Sequence, residues 1–195
     1  MAKSLADKSF VATIKCQVAG FEGYWDRHEV FAHPYGSHLP GQRIVSSYLT
    51  VNNFCNFPDV DESERCRFTF KCYALTDGSP AYQIFVKAGD EYQQLDVTQE
   101  FGYLRFYPVK ESDAFWRIYI DGQRGGPTEV GKYRRFSMRP FFKAPWTYLG
   151  NRQKDGRVIP VSRKNDGKYW HAYFDADGHP SGGEMVGDLN VLKMG

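Results

Sequence analysis

The sequence predicts a single all-β domain, and two observations predict it. The 195 residues include thirteen tyrosines and fifteen phenylalanines, whereas no stretch has the pattern of a long helix, and aromatic residues favour sheets. One order of motifs also occurs three times: a Tyr-Leu pair, an aromatic-basic-x-Tyr segment, and an Asp-Gly turn. A chain of this length can bury an ordinary hydrophobic core without metals or disulfides.

The repeated segments are short and similar in side-chain order. The aromatic-basic-x-Tyr segments lie at 70–73, 116–119 and 170–173. The Tyr-Leu pairs precede them at 48–49, 103–104 and 148–149, and the Asp-Gly dipeptides follow at 77–78, 121–122 and 177–178. Because Asp and Gly tolerate the positive φ of tight turns, each Asp-Gly dipeptide predicts a hairpin.

Each repeated segment is predicted to be a strand with one buried face. Successive side chains of a strand point to opposite faces, so Trp116 and Ile118 face the core while Arg117 and Tyr119 face outward. The same register buries Trp170 in the third copy. The sequence therefore predicts three outward pairs of a basic residue and a tyrosine: Lys71 and Tyr73, Arg117 and Tyr119, and His171 and Tyr173.

Alternation and turn residues divide the rest of the chain into short strands. Residues 1–9 are expected to form a flexible N-terminus, and Phe10 to Val18 is the first strand. A polar, aromatic segment then begins at Tyr24 and Trp25 and continues into an irregular loop. Further strands are predicted at 43–51, 65–75, 82–87, 93–98, 102–109, 115–121 and 157–162. The last strand, 185–194, is expected to lie beside the first.

The threefold order resembles a β-trefoil, in which three four-strand units close about a pseudo-threefold axis. The resemblance is one of architecture and covers about residues 10 to 180, with pseudo-repeats at 10–78, 79–122 and 123–178. The Tyr-Leu pairs are unequally spaced, so a β-sandwich or jelly roll is the alternative.

The four cysteines are expected to be free thiols. They are Cys16, Cys55, Cys66 and Cys72, and most of them share a strand face with apolar residues, as small core residues do. A disulfide between Cys55 and Cys66 is the alternative.

Metal and cofactor sites are not predicted. His28, His33 and His38 recur every five residues, a spacing that places them on neither one strand face nor one helix face. The segment from Asp175 to Glu184 matches the second half of a calcium loop, but Tyr173 stands at the first ligand position, so a hairpin turn is favoured.

The net charge and the composition of the N-terminus limit the kinds of partner that are expected. The basic stretch 132–139 is interleaved with aromatic residues, a pattern that single-strand nucleic-acid platforms share. The formal net charge of only +2 favours a polar strand face beside a partly buried aromatic set over such a platform. No apolar segment is long enough to span a bilayer, and the N-terminus lacks the apolar region of a secretory signal. A soluble protein is expected, cytoplasmic or released without a classical signal, with no nucleic-acid partner.

The favoured function is a non-catalytic recognition module that binds a glycan or another small polar ligand, a role suited to the targeting part of a toxin or defence protein. Aromatic faces stack on sugars, and polar side chains bond their hydroxyls. The candidate binding residues are the three outward pairs together with Asp175, His179, Tyr24 and Trp25. No catalytic motif is present, although a β-barrel enzyme with a dispersed His, Tyr or carboxylate site and a protein-interaction or shell protein are alternatives.

Overall fold

A computed structural model describes most of the chain. The described residues are 3–16, 23–32, 43–52, 63, 65–97, 104–110, 112, 114–141, 158–162, 169–174 and 185–195. Within them the chain forms a short 3₁₀ helix, Ala6–Lys8, and fourteen strands. The strands are β1 Lys3–Ser4, β2 Phe10–Cys16, β3 Gly23–Ala32, β4 Arg43–Asn52, β5 Phe68–Ala74, β6 Pro80–Ala88, β7 Glu91–Val97, β8 Leu104–Pro108, β9 Phe115–Ile120, β10 Gln123–Arg124, β11 Gly131–Phe141, β12 Val158–Ser162, β13 Tyr169–Phe174 and β14 Met185–Met194. The prediction of an all-β protein is confirmed.

Six antiparallel strands close into a barrel. Their order is β5, β2, β14, β11, β9 and β6, and β6 pairs again with β5 to complete the ring. The last strand, β14, lies along β2, the first strand of the ring, as the sequence analysis expected. Closure removes the free edges that an open sheet would leave unpaired.

The remaining strands branch from the barrel. From β6 the sheet continues through β7 and β8 to β4, which also pairs with β3 and β13, and β12 pairs with β13. β3 returns to the barrel, where Lys15 and Cys16 of β2 pair with Tyr24 and Gly23. The barrel and the outer sheet are thus joined at two strands, β2 and β6.

One hydrophobic core serves both parts. Barrel residues such as Phe70, Trp116 and Phe136 and outer-sheet residues such as Leu49 and Leu95 belong to the same buried cluster. The Trp116 indole Nε1 donates a hydrogen bond to the Leu95 carbonyl oxygen at 3.2 Å, which links β9 to β7 through the core. Phe10 stacks on Phe70, with ring centroids 4.4 Å apart.

The Asp-Gly prediction can be assessed at two of its three positions. Asp121 and Gly122 both have positive φ, 51° and 80°, and join β9 to β10 as the two-residue hairpin that this dipeptide favours. Gly78 also has a positive φ, 78°, in the turn between β5 and β6. The dipeptide at 177–178 lies outside the described residues.

The β-trefoil arrangement is not confirmed. β5 and β9, which carry the first two repeated segments, flank β6 in the barrel, whereas β13, which carries the third, lies in the outer sheet beside β4. The three copies are therefore not equivalent about one axis. Alternation of bulky apolar and polar residues is common to many strands, so the similar side-chain order at 170–173 does not require an equivalent place in the fold.

Two local expectations differ from the structure. The segment from Tyr24 onward is the ten-residue strand β3 and not a loop, because it pairs with β4 along its whole length. Residues 3–9, expected to be flexible, are held against β5: β1 pairs with it, and the Leu5 N–H donates to the Cys72 carbonyl oxygen at 2.8 Å. His28 therefore lies within a strand, whereas His33 and His38 lie outside the described residues.

Replacing Trp116 tests the shared core. Trp116 is fully buried, so Trp116→Ala is expected to lower the free energy of unfolding by about 3–5 kcal/mol through the cavity that it leaves. Denaturant unfolding measures the change, with Tyr119→Ala on the outward face of the same strand as the control. A midpoint that changes no more than the control's would contradict a core position for Trp116.

The thiols provide a second test. Cys66 and Cys72 are free, which excludes the Cys55–Cys66 disulfide, and burial together with the Asp26 carboxylate raises the pKa of Cys66 to about 12. Burial also raises the pKa of Cys72. Since the thiolate is the reactive form, both should resist maleimide labelling at pH ~8 in the folded protein.

Denatured, unreduced protein is expected to titrate all four thiols. Labelling sites are read by peptide mass spectrometry. Rapid native labelling of Cys72 would contradict its burial, and two thiols in place of four would reveal a disulfide involving the cysteines at 16 and 55.

Candidate functional site

Two of the three predicted outward pairs lie on the same face of the barrel. Phe70 and Cys72 on β5 and Trp116 and Ile118 on β9 are buried, so the residues between them point outward. β6 separates the two pairs. Tyr73 packs edge-to-face on Phe115, with centroids 5.6 Å apart.

Cations on this outer face contact aromatic rings of the same protein. The Lys71 ammonium lies 4.8 Å from the Phe85 ring centroid, and the Arg139 guanidinium lies 5.3 Å from that of Tyr119. Arg139 is also the register partner of Arg117. The predicted pairs thus contribute to a surface whose aromatic groups already have intramolecular partners.

The third pair occupies a different part of the fold. His171 of β13 pairs with Thr50 of β4, so this strand belongs to the outer sheet. For β13 the structure describes the backbone, and Asp175 and His179 lie outside the described residues.

Tyr24 and Trp25 point to opposite sides of β3. Trp25 is 1% exposed and belongs to the core, so its ring is not available to a surface ligand. Tyr24 is half-buried and lies directly opposite Lys15 of β2. Of these two candidate residues, only Tyr24 lines a surface cavity.

That cavity, which we call the basic groove, forms where the outer sheet leaves the barrel. Its volume is about 250 Å³. The described residues that line it are Lys15, Tyr24, Arg65, Lys132, Tyr133, Arg134, Asp188, Leu189 and Asn190. Strand register brings most of them together, because Asp188 is opposite Lys15 and Asn190 is opposite Lys132.

The groove is strongly positive for a chain with a net charge of +2. Among its described lining residues, four are cations and Asp188 is the one acid. Lys15, Lys132 and Arg134 are exposed, and the described part of the protein offers none of these three side chains an ion pair or hydrogen bond. These three are therefore available to an anionic ligand.

Arg65 and Tyr24 form one wall. The Arg65 guanidinium lies 3.9 Å from the Tyr24 ring centroid, a cation–π contact that orients both groups. A second tyrosine is fixed by its hydroxyl: Tyr133 Oη donates to the Glu129 carbonyl oxygen at 3.0 Å and accepts from the Glu129 N–H at 3.2 Å. These contacts fix the position of both tyrosine rings before any ligand binds.

Two irregularities shape the groove. β11 contains a bulge between Tyr133 and Phe136, where its two residues Arg134 and Arg135 lie opposite the single residue Asp188 of β14. Gly187 of β14 lies so close to β2 that a Cβ there would be 2.6 Å from the Lys15 carbonyl oxygen. The close approach at Gly187 sets the position of the next residue, Asp188, beside Lys15.

Comparison of the chain with protein-family models, with curated proteins and with solved structures found no match. Residue chemistry and geometry therefore carry the functional proposal. Within the described residues, no helix has the length and apolar composition needed to cross a membrane. The same residues contain no group of three His, Cys, Asp or Glu side chains arranged to hold a metal ion.

Sequence reasoning found part of this groove. It singled out Tyr24 and noted the basic stretch that contains Lys132 and Arg134, but it interpreted that stretch as an ordinary polar strand face. It did not identify Lys15, Arg65 or Asp188. The missing information was the pairing of β14 with both β2 and β11, since single charged residues on separate segments of the chain carry no local signal.

Gly187→Ala tests the close approach that shapes the groove. The added Cβ would meet backbone atoms that cannot move independently, so a loss of about 1–3 kcal/mol in the free energy of unfolding is expected. Thermal unfolding measures it, and Lys193→Ala, at an exposed position on the same strand, is the control. If the Gly187→Ala variant is as stable as the control, then β2 and β14 are farther apart at this point than the structure places them.

Proposed function

We propose that the protein is a non-catalytic recognition module and that its basic groove binds an acidic carbohydrate. The observation that carries the proposal is the presence of three exposed cations that have no partner among the described residues, Lys15, Lys132 and Arg134, beside a positioned tyrosine. Cations in this setting bind carboxylate or sulfate groups through charge-assisted hydrogen bonds.

The other groove residues suit the neutral part of a sugar. Asn190 can both donate and accept hydrogen bonds, and Asp188 accepts them from hydroxyl groups. The Tyr24 ring provides an apolar surface for the C–H face of a pyranose, and its orientation is set by Arg65. Uronic acids and sulfated sugars combine all these features in one residue.

A carbohydrate is favoured over nucleic acid by the distribution of charge. Proteins that bind nucleic acids carry an extended basic surface that neutralises many phosphates, whereas this chain has a net charge of +2 and a local excess at one groove. Recognition of acidic cell-surface glycans would suit the targeting part of a toxin or defence protein.

Binding to defined polymers tests the proposal. Chondroitin sulfate and hyaluronate are expected to bind, whereas neutral dextran is not, and affinity should fall as salt is added because exposed charges are screened. Calorimetry or binding to immobilised glycans measures the Kd. Binding of single-stranded DNA with equal affinity at equal charge would contradict a carbohydrate ligand.

Charge-neutralising variants locate the site. Lys132→Gln/Arg134→Gln is expected to weaken binding by about 1–2 kcal/mol, or roughly 5–30-fold in Kd. Lys87→Gln/Lys110→Gln removes the same charge from exposed positions outside the groove and should bind like the wild type. Equal losses in the two double variants would indicate an unspecific charge effect.

The outer-face pairs are the alternative surface for the same ligand. If Lys71, Tyr73, Arg117 and Tyr119 bind it, then Tyr73→Ala and Tyr119→Ala should weaken binding, and Lys132→Gln/Arg134→Gln should not. The intramolecular contacts of Tyr73 and Tyr119 favour the groove. Each variant is compared by its melting temperature before its affinity is interpreted.

A further inference from the structure

A second cavity lies at one end of the barrel, apart from the basic groove. We call it the end cavity. It is bounded by the 3₁₀ helix Ala6–Lys8, the start of β6, residues 124–128 and the end of β14, and its volume is about 480 Å³. Sites for small organic molecules commonly occupy roughly 300–1,000 Å³.

The inner wall of this cavity is apolar and rigid. Pro80, Tyr82, Pro127 and Met194 line it, and Tyr82 is 1% exposed. The Gly126 N–H and the Cys72 thiol both hydrogen-bond with the Tyr82 hydroxyl. Burial, together with the Cys72 thiol, raises the pKa of Tyr82, and the opposing effect of the Gly126 N–H is smaller. The Tyr82 hydroxyl is thus neutral and already satisfied, and the buried Tyr82 ring closes the floor of the cavity. Pro80 and Met194 are the partly exposed apolar side chains that a ligand can contact.

Glycine is required beside this floor. A Cβ at 126 would overlap the Tyr82 hydroxyl, and Gly125 has a φ of +151°, which side-chain-bearing residues rarely adopt. The Gly125 N–H donates to the Ile118 carbonyl oxygen at 2.9 Å. The loop that bounds the cavity is therefore fixed to β9 and β6 and does not fill the space itself.

The rim of the end cavity carries an excess of positive charge. Lys8 and Arg124 are exposed cations, and Asp7 is the one acid among the described lining residues. Arg124 is positioned by Ser79: its Nη2 donates to the Ser79 Oγ at 2.8 Å, and that hydroxyl donates to Asp77 Oδ1 at 2.6 Å. A cation held in this way is ready to bind an anion at the cavity mouth.

We propose that the end cavity binds a small organic anion whose apolar, ring-containing body enters against Pro80 and Met194 while its acidic group meets Lys8 and Arg124. This ligand differs from the carbohydrate proposed for the basic groove, because the end cavity presents an apolar wall where a sugar would need hydrogen-bonding partners. The two sites are independent, and neither proposal requires the other.

A matched pair of fluorescent probes tests the charge requirement in the full chain. Anilinonaphthalene sulfonate has an aromatic body and one anionic group, and N-phenylnaphthylamine has the same rings without the sulfonate. The folded protein is expected to bind the sulfonate at one site and to bind the uncharged probe about tenfold more weakly, which corresponds to about 1.4 kcal/mol. Equal affinity for both probes, or no binding of the sulfonate, would overturn the proposal.

Two variants of the end cavity locate the bound probe, and two variants outside it are controls. Lys8→Gln/Arg124→Gln is expected to reduce sulfonate affinity about tenfold without changing that of the uncharged probe. Thr128→Trp, an exposed lining position, should fill the cavity and reduce binding of both. Lys87→Gln/Lys110→Gln and the groove variant Lys132→Gln/Arg134→Gln should leave sulfonate binding unchanged.

The outcomes separate the two proposals. Loss of sulfonate binding in the groove variant would show that the probe occupies the basic groove and would overturn the end-cavity assignment. Melting temperatures equal to that of the wild type confirm that each variant is folded. The uncharged probe contacts the apolar wall alone. If the Lys8→Gln/Arg124→Gln variant binds this probe with wild-type affinity, its cavity is intact.

Discussion

The structure depends on how the edge of β2 is divided between two partners. Phe10, Val11 and Ala12 pair with β5 and close the barrel, whereas Lys15 and Cys16 pair with β3 and start the outer sheet. A strand has only two edges for hydrogen bonding, so the change of partner requires β5 and β3 to diverge at this point. The basic groove includes Lys15 at this point, and the same pairing places Lys15 beside Tyr24. The change of pairing partner along β2 therefore contributes both to the fold and to the candidate site.

β6, which lies on the other side of β5 from β2, is divided in a similar way. Tyr82 pairs with Trp116 of β9, and residues from Phe85 to Ala88 pair with β7. The outer sheet is therefore joined to the barrel by backbone hydrogen bonds at two places, β7 to β6 and β3 to β2. Trp116 crosses between the two parts, since its ring fills the core while its indole N–H binds β7. A large aromatic residue with one hydrogen-bond donor is suited to that position, because it joins two strands and leaves no buried donor unpaired.

Local patterns predicted the faces of the strands better than their partners. Alternation along 115–121 indicated that Trp116 and Ile118 are buried, and Asp121-Gly122 indicated a tight hairpin, because both features depend on neighbouring residues alone. The trefoil interpretation required that β5, β9 and β13 occupy equivalent places, and this depends on long-range pairing that the motif order does not encode. Trp25 illustrates the same limit. An aromatic residue in a polar segment resembles a ligand contact until the pairing of β3 with β4 shows that it faces the core.

Cations on the described surface fall into two groups that have different capacities to bind a ligand. Lys71 and Arg139 lie over aromatic rings, so a ligand would have to replace contacts that the protein already makes, and part of the binding energy would be lost. Lys132 and Arg134 project from β11 where its bulge interrupts regular pairing, and no described ring or carboxylate contacts them. Like charges held close together repel each other in the free protein, and an anion that relieves this repulsion gains more than one that binds a single exposed cation. The basic groove is the stronger candidate for the acidic ligand because its cations lack described partners, whereas those of the outer face already contact aromatic rings. The number of basic residues matters less.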